Sequence, residues 1–151
     1  MNKILISSCF LGNKVRYDGQ TKSIVDPQIA TWQQQGCLTV ICPEVSGGLS
    51  VPRARAEQIG KQVFDEFGVD VTAQFQLGAI HALELCQQQQ IKFALLKEFS
   101  PSCGSKQIYN GDFNGTKIKG QGVTAKLLTE HGIAVYSELT LAQLIIDYNR
   151  A

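Results

Sequence analysis

Residues 3 to 8 read KILISS, a short and mostly apolar run near the start of the chain. Such a run is typical of a buried strand in a parallel sheet, because helices cover both faces of that strand. Comparable runs recur as LTVIC at 38–42, KFALL at 92–96 and IAVY at 133–136. The sequence therefore predicts four short strands that can share one sheet.

Helical patterns separate these strands. DPQIATWQQQ (26–35) predicts a helix with Asp26 as its N-cap and Gly36 as its stop. Thr72 is predicted to cap a helix with an apolar stripe and a frayed end at 87–90, and Thr140 to cap the last helix. A further helix is predicted within GQGVTAKLLTEHG (120–132). The stripe of the second helix consists of Phe75, Ala79, Leu83 and Cys86, and that of the last helix of Leu141, Leu144, Ile145 and Tyr148.

The remaining segments are predicted as loops and hairpins. Residues 43–60 are rich in Pro and Gly and read as one long loop. QVFDEFGVDV (62–71) predicts a hairpin that turns near Phe67 and Gly68, and IYNGDFNG (108–115) predicts a tight hairpin or a pair of turns. Strands that alternate with helices indicate an α/β fold: one domain over 1–151 with a mainly parallel, Rossmann-like sheet, helices on both faces and small hairpins.

Size and charge limit the function classes. The 151 residues (16.5 kDa, 44% hydrophobic) suffice for one buried core. A formal net charge of +1 argues against a long nucleic-acid partner and favours a small molecule. The sequence shows neither a signal-peptide core nor an apolar run of about 20 residues, so we expect a cytoplasmic protein without a membrane partner.

Three of the five cysteines follow predicted strands. Cys9 lies just past the first strand, Cys42 ends the second, and Cys103 lies in the loop after the third. The carboxyl ends of parallel strands share one edge of the sheet, where α/β folds bind ligands. We therefore expect these three thiols to meet in a metal site, the alternative being that each is only a small apolar residue. Cys37 and Cys86 are expected to be structural.

The donor set bears on the kind of metal. Thiolates select zinc, copper(I) or iron–sulfur clusters, and neither His81 nor His131 is well placed to contribute. A structural zinc site takes four protein ligands. Three cysteines without a fourth suit a 4Fe-4S cluster that leaves one iron open, and such an iron is a Lewis acid.

Three motifs together resemble a known family. They are SSCFLG with VRYDG, CPEVSGGL with its following PR and E, and LKEFSPSCGS followed by IYNGDFNG and GQGV. In this order, over nearly the whole chain, they are similar to the thiouracil desulfidases, small proteins first catalogued as a domain of unknown function. The resemblance implies a 4Fe-4S cluster held by Cys9, Cys42 and Cys103, whose open iron binds the sulfur of a thiolated pyrimidine. It also implies catalytic roles for Glu44 of CPE and for a serine of SPSC, Ser100 in the first place.

The chemistry gives each residue a testable role. Glu44 would act as general base on a water that replaces sulfur by oxygen, and Ser100 or Ser102 would hydrogen-bond the ring or relay a proton. The alternatives are that Glu44 caps a helix or pairs with Arg53 or Arg55, and that the serines satisfy loop backbone groups. Residues 16–18 (RYD) are either a substrate-facing loop or a solvated turn, and the turn is favoured. GQG before a helix is only weak evidence for an anion site.

Two function classes remain. The first is a desulfidase acting on thiolated uracil, and the second is a non-catalytic iron–sulfur or zinc protein that senses or scaffolds. Glu44 and Ser100 separate them, because a structural site needs neither. A thiol redox enzyme would need paired thiols such as Cys-x-x-Cys, and the sequence contains none. For assembly, a monomer or a small homo-oligomer is expected.

Overall fold

The central sheet is parallel throughout. The computed structural model describes residues 2–14, 16–20, 23 and 26–151. Strand β1 (Ile4–Ser7) lies between β2 (Leu38–Ile41) and β5 (Phe93–Leu95), and β8 (Ala134–Tyr136) forms the other edge, giving the order β2-β1-β5-β8. The four predicted strands are therefore confirmed, and they share one sheet.

Helices cover both faces of this sheet. On one face, α1 (Pro27–Gln34) and α5 (Leu141–Arg150) bury Trp32 and Leu144 with side chains of β1 and β5. On the other face, α3 (Thr72–Gln89) and α4 (Val123–Glu130) bury side chains that include Cys86 and Leu128. This confirms the predicted α/β class. Cys86 and Cys37 lie in the two cores, as expected of structural residues.

Helix caps were predicted with mixed success. Asp26 caps α1, since its carboxylate accepts a hydrogen bond from the Gln28 amide at 2.8 Å. Thr72 is not a cap: its hydroxyl accepts from the Val63 amide at 2.9 Å, tying the start of α3 to a neighbouring strand. Thr140 is not a side-chain cap of α5 either. Its hydroxyl accepts from the Ser137 amide, and both belong to a capping box around the 3₁₀ turn Glu138–Thr140.

The end of α3 is more regular than predicted. The helix continues through Gln89, and Gln90 closes it in the left-handed conformation (φ 56°). The Thr39 hydroxyl donates to the Gln89 side-chain oxygen at 2.6 Å. The helix end is therefore bonded to the second strand rather than frayed.

The segment predicted as one long loop, 43–60, is partly regular. It contains the short helix α2 (Pro43–Ser46) and strand β3 (Ala56–Ile59). Strand β3 pairs antiparallel with β4 (Gln62–Asp65), so the main hairpin turns at Gly60 and Lys61. The predicted turn near Phe67 and Gly68 is present as well: Phe64 and Asp70 form an antiparallel bridge, and the Asp65 amide donates to the Val69 carbonyl at 2.9 Å. Strand β3 was not predicted, because AEQI has only one β-branched residue, Ile59, and follows a stretch rich in Pro and Gly.

The hairpin predicted at 108–115 is confirmed. Strands β6 (Gln107–Tyr109) and β7 (Lys117–Lys119) pair antiparallel and are joined by 110–116. It follows the loop after β5 and lies beside the carboxyl edge of the sheet, where Tyr109 borders a cavity. Within the described part of the chain, no helix is both long and apolar enough to cross a bilayer.

Candidate active site

One cavity at the carboxyl edge of the sheet is lined by all the predicted site residues except Ser102. It measures about 400 Å³, within the range of small-molecule sites. Cys9 reaches it from a 3₁₀ turn (Ser8–Leu11) after β1, and Cys42 from the junction of β2 and α2. Cys103 reaches it from the loop after β5, and Glu44 and Ser100 also line it. The parallel topology thus brings together three thiols, a carboxylate and a hydroxyl from distant positions.

Ser100 organises the segment that carries Cys103. Its hydroxyl oxygen accepts hydrogen bonds from the amides of Ser102 and Cys103, each at 3.1 Å. On the other side, the Ser7 hydroxyl points to the Cys103 sulfur at 3.9 Å and accepts from the Lys97 amide at 3.1 Å. Cys103 is therefore held by Ser100 of its own loop and by Ser7 at the carboxyl end of β1.

Glu98 fixes the same loop from inside. It is buried, and its carboxylate accepts from the Ser105 amide (2.6 Å), the Ser105 hydroxyl (2.7 Å), and the amides of Lys106 and Phe99. Burial alone would raise the pKa of Glu98, but these hydrogen bonds favour the charged form and lower the pKa below its ordinary value. The Glu98 carboxylate thus holds the loop from 98 to 106 together by hydrogen bonds.

Burial controls the chemistry of the three thiols. Desolvation, with a smaller repulsion from Cys42, raises the pKa of Cys9 to about 11, and desolvation also raises the pKa of Cys42 and of Cys103. Bare thiolates would repel one another here. Positive charge from bound metal removes that penalty, since metal binding displaces the thiol protons.

Glu44 contacts both a cation and a hydroxyl. Its Oε1 accepts from Arg53 Nε at 3.2 Å, and its Oε2 lies 3.4 Å from the Ser100 Oγ, which donates to it. The Arg53 side chain is only 7% exposed and also donates to the Ser50 carbonyl. The alternative that Glu44 pairs with Arg53 is therefore correct, and the same carboxylate still faces the cysteine cavity.

Ser102 is placed differently from Ser100. It is fully buried outside the cavity lining, and its hydroxyl shares a hydrogen bond with the Thr124 hydroxyl at 2.9 Å. Its carbonyl accepts from the first amides of α4, those of Thr124 and Ala125. Of the two predicted serines, Ser100 reaches the cavity and Ser102 joins the cysteine loop to α4.

The start of α4 is occupied by the protein itself. The Val123 amide donates to the Pro101 carbonyl at 2.9 Å, and the Thr124 amide to that of Ser102 at 2.8 Å. A Cβ on Gly122 would lie 2.3 Å from the Ser102 carbonyl carbon. Gly122 therefore allows the cysteine loop to pack against the start of α4. The helix amides that an anion would need already bond to carbonyls of this loop, so GQG does not form an anion site.

Both alternatives for Arg16 and Tyr17 find support: the two residues line the cavity, and residues 16–19 form the favoured turn, in which Gly19 donates to the Arg16 carbonyl. Two aromatic residues of the cavity were not predicted as site residues. Phe99 and Tyr109 line it too, with ring centroids 6.5 Å apart. Phe99 adopts φ 69°, a region that bulky residues rarely occupy. Sequence offers no signal for that conformation, but the aromatic ring next to SPSC could have been noted.

The donor set decides what kind of group fits. Among residues 2–14, 16–20, 23 and 26–151, no three His, Cys, Asp or Glu side chains converge closely enough to hold a single metal ion. The cysteines that bind one iron–sulfur cluster each bind a different iron, so they surround a volume rather than a point. Three thiols around one cavity fit such a cluster better than they fit a mononuclear zinc site.

Comparisons with known proteins agree with this geometry. The family model described as 2-thiouracil desulfurase matches residues 4–140. An uncharacterised Bacillus subtilis protein, YbbK, is 38% identical over 152 residues, covering 94% of this chain and 99% of its own. A solved structure described as a 4Fe-4S-dependent thiouracil desulfidase, TudS, is 50% identical, with a TM-score of 0.99 and full coverage of both chains.

Proposed function

The chain belongs to the 2-thiouracil desulfurase family, and from that premise we propose that it is an iron–sulfur-dependent desulfidase acting on thiolated uracil. The reaction is hydrolytic: thiouracil and water give uracil and hydrogen sulfide, with no net oxidation or reduction. The observation that carries the proposal is the meeting of three thiols with Glu44 and Ser100 in one cavity. A purely structural cluster needs neither the carboxylate nor the hydroxyl.

Cys9, Cys42 and Cys103 would hold the cluster. When bound, it would supply an open iron that acts as a Lewis acid toward the sulfur of the substrate. The three thiols suit this role, because burial raises their pKa and a bound cation favours their deprotonation. The cavity, at about 400 Å³, leaves the ligand set next to the polar groups that the hydrolysis requires.

Glu44 is the general base in this proposal. Its carboxylate would take a proton from the water that attacks the ring carbon. Arg53 holds Oε1 and Ser100 bonds to Oε2, so the carboxylate has a fixed orientation before substrate arrives. Ser100 would then pass a proton between Glu44 and the substrate, while Ser102 keeps the loop on α4.

The first experiment is anaerobic. The reconstituted protein is analysed for iron and sulfide and then incubated with 2-thiouracil and 4-thiouracil while uracil and released sulfide are followed. We expect about four irons per chain and equal amounts of uracil and sulfide. One zinc per chain with no iron after reconstitution would instead favour a metal scaffold.

The variant Glu44→Gln tests the assigned base. Gln keeps the shape and can still accept from Arg53, but it cannot take a proton. We expect iron content within error of the wild type and a turnover number at least about 100-fold lower, the usual contribution of general base catalysis. Wild-type turnover in this variant would remove Glu44 from the mechanism.

A further inference from the structure

Helix α2 carries the proposed base but is too short to be stable without contacts to other elements. It spans four residues, Pro43–Ser46, directly after Cys42. Pro43 is its only buried residue. One helical turn is not stable by itself in water, because nucleation fixes several residues for few hydrogen bonds. The position of Glu44 therefore depends on what α2 packs against.

That neighbour is α3, and the two helices approach at two glycines. A Cβ built on Gly78 of α3 would lie 1.9 Å from the Pro43 carbonyl oxygen. A Cβ built on Gly47, just after α2, would lie 1.9 Å from the Gln74 carbonyl oxygen. Both glycines have ordinary negative φ or helical geometry, so backbone freedom does not explain them. The close approach of the two backbones does.

One turn further along α3, His81 makes the polar contact. Its Nδ1 lies 2.8 Å from the Ser46 hydroxyl and 3.0 Å from the Ser46 carbonyl oxygen. Either neutral tautomer can bond: an unprotonated Nδ1 accepts from the hydroxyl, and a protonated one donates to the carbonyl. His81 thus fixes the end of α2, while Gly78 fixes its beginning.

We propose that Gly78 and His81 are positioning residues that set the place of Glu44 at the cysteine cavity. This inference rests on the proposed function, since it concerns the base of that reaction. Neither residue lines the cavity, so both act through α2. Because a misplacement of about 1 Å can cost about 100-fold in rate, this contact between two helices bears on catalysis as well as on folding.

The test uses the reconstituted holoenzyme with 2-thiouracil. Gly78→Ala introduces a Cβ that only a backbone shift can accommodate, and we expect a kcat about 100-fold below wild type. For His81→Leu, which removes the bond but keeps the size, we expect a fall of about tenfold. In His81→Leu the KM should stay within about twofold and the iron content should be unchanged, because Glu44 acts in the chemical step.

Matched variants separate this role from general destabilisation. His131→Leu makes the same change at a histidine whose ring, within the described part of the chain, bonds to its own helix through the Leu127 carbonyl, and it should keep wild-type kcat. His81→Asn, whose amide can still bond to Ser46, should recover part of the loss. Should His81→Leu not fold, Ser46→Ala tests the same contact, and kcat should fall in the same direction by a smaller factor.

The outcomes are distinct. No sulfide release by the wild type overturns the proposed function and this inference with it. An active wild type with unchanged kcat in His81→Leu overturns this inference alone. So does a loss of iron in parallel with kcat in that variant, because the contact would then serve Cys42 as a ligand and not Glu44 as a base.

Discussion

Arg53 and Arg55 lie two residues apart but belong to different kinds of ion pair. The Arg53 and Glu44 side chains are 7% and 17% exposed, whereas those of Arg55 and Glu66 are 46% and 31% exposed. Loss of a partner costs more when it leaves a shielded charge unpaired. We expect Arg53→Ala to lower the free energy of unfolding by about 2 kcal/mol.

Arg55→Ala is the control, since exposed pairs contribute less than about 1 kcal/mol. Urea unfolding of both variants and the wild type measures the two losses. Equal losses would contradict a special role of the Glu44 pair. Turnover is informative for Arg53→Ala as well, because Glu44 would keep only Ser100 as an orienting partner.

Phe99 gives a second prediction, which concerns the backbone. Its φ of 69° costs a non-glycine residue roughly 1–2 kcal/mol, a cost that glycine does not pay. Phe99→Ala loses the ring and keeps this strain, whereas Phe99→Gly loses the ring and relieves it. We expect the Gly variant to be more stable than the Ala variant by about 1 kcal/mol in urea unfolding.

The same pair of changes at Phe64 should give the opposite order. Phe64 lies in the regular strand β4, where glycine only adds freedom to the unfolded chain. An Ala variant that is more stable than the Gly variant at both positions would show that Phe99 is not strained.

The sequence indicated the candidate site residues better than their hydrogen-bond partners. The cysteines were expected to meet because residues after parallel strands share one edge, and Glu44 was named because its CPE motif resembles that of the desulfidases. The choice of Arg53 over Arg55 depended on the path of residues 50–55, which no local pattern encodes. Likewise, only Ser100 of the two serines lines the cavity, because Ser102 bonds to Thr124 at the start of α4 through both its carbonyl and its hydroxyl.

At the level of elements, a helical period or a continuous apolar run decided what the sequence could reveal. The 18-residue α3 shows a helical period, and the strands of the central sheet, although only three or four residues long, are mostly apolar runs. Helix α2 and strand β3 have four residues each, too few for a period, and both lie among Pro and Gly residues that favour a loop prediction. Yet α2 is the element that carries the proposed base, so the least predictable element has the most specific role.

The docking of the cysteine loop on α4 provides a prediction at this scale. A Cβ on Gly122 would lie 2.4 Å from the Ser102 carbonyl oxygen and 2.6 Å from the Cys103 amide nitrogen, and backbone atoms cannot turn away as side chains can. We expect Gly122→Ala to displace Cys103 and to lower the iron content of the reconstituted protein by more than half.

Gly120→Ala is the matched control, because its Cβ would meet only the Ile108 side chain, at 3.0 Å. Iron and sulfide analysis after parallel reconstitution compares the two. Full iron content in Gly122→Ala would mean that the loop finds another way to present Cys103.

In the whole molecule, the packed cores and the cavity lie in different places. Two cores on opposite faces of the sheet hold strands and helices, and the loops that leave the carboxyl edge supply the cysteines. The alternation of strands and helices made this division predictable. How the loops are joined to each other was not predictable, because the joints are single side chains. The Glu138 side chain, beyond β8, is one, since its carboxylate accepts from the Glu98 amide at 2.8 Å. The Glu98 carboxylate in turn holds its own loop through Ser105 and Lys106.

Glu98 therefore links stability to pH. Hydrogen bonds from the loop lower its folded-state pKa below the value in the unfolded chain, about 4.3. A depressed pKa contributes stability that is fully present above the unfolded value and is lost as the pH falls through the folded value.

We expect the wild type to be more stable than Glu98→Gln at pH 7, and the difference to shrink as the pH falls below about 4.3. Urea unfolding at several pH values measures that difference, and acid effects common to both proteins cancel in it. A difference that stays constant down to pH 3 would contradict this prediction, because the contribution of Glu98 would then not depend on its ionisation.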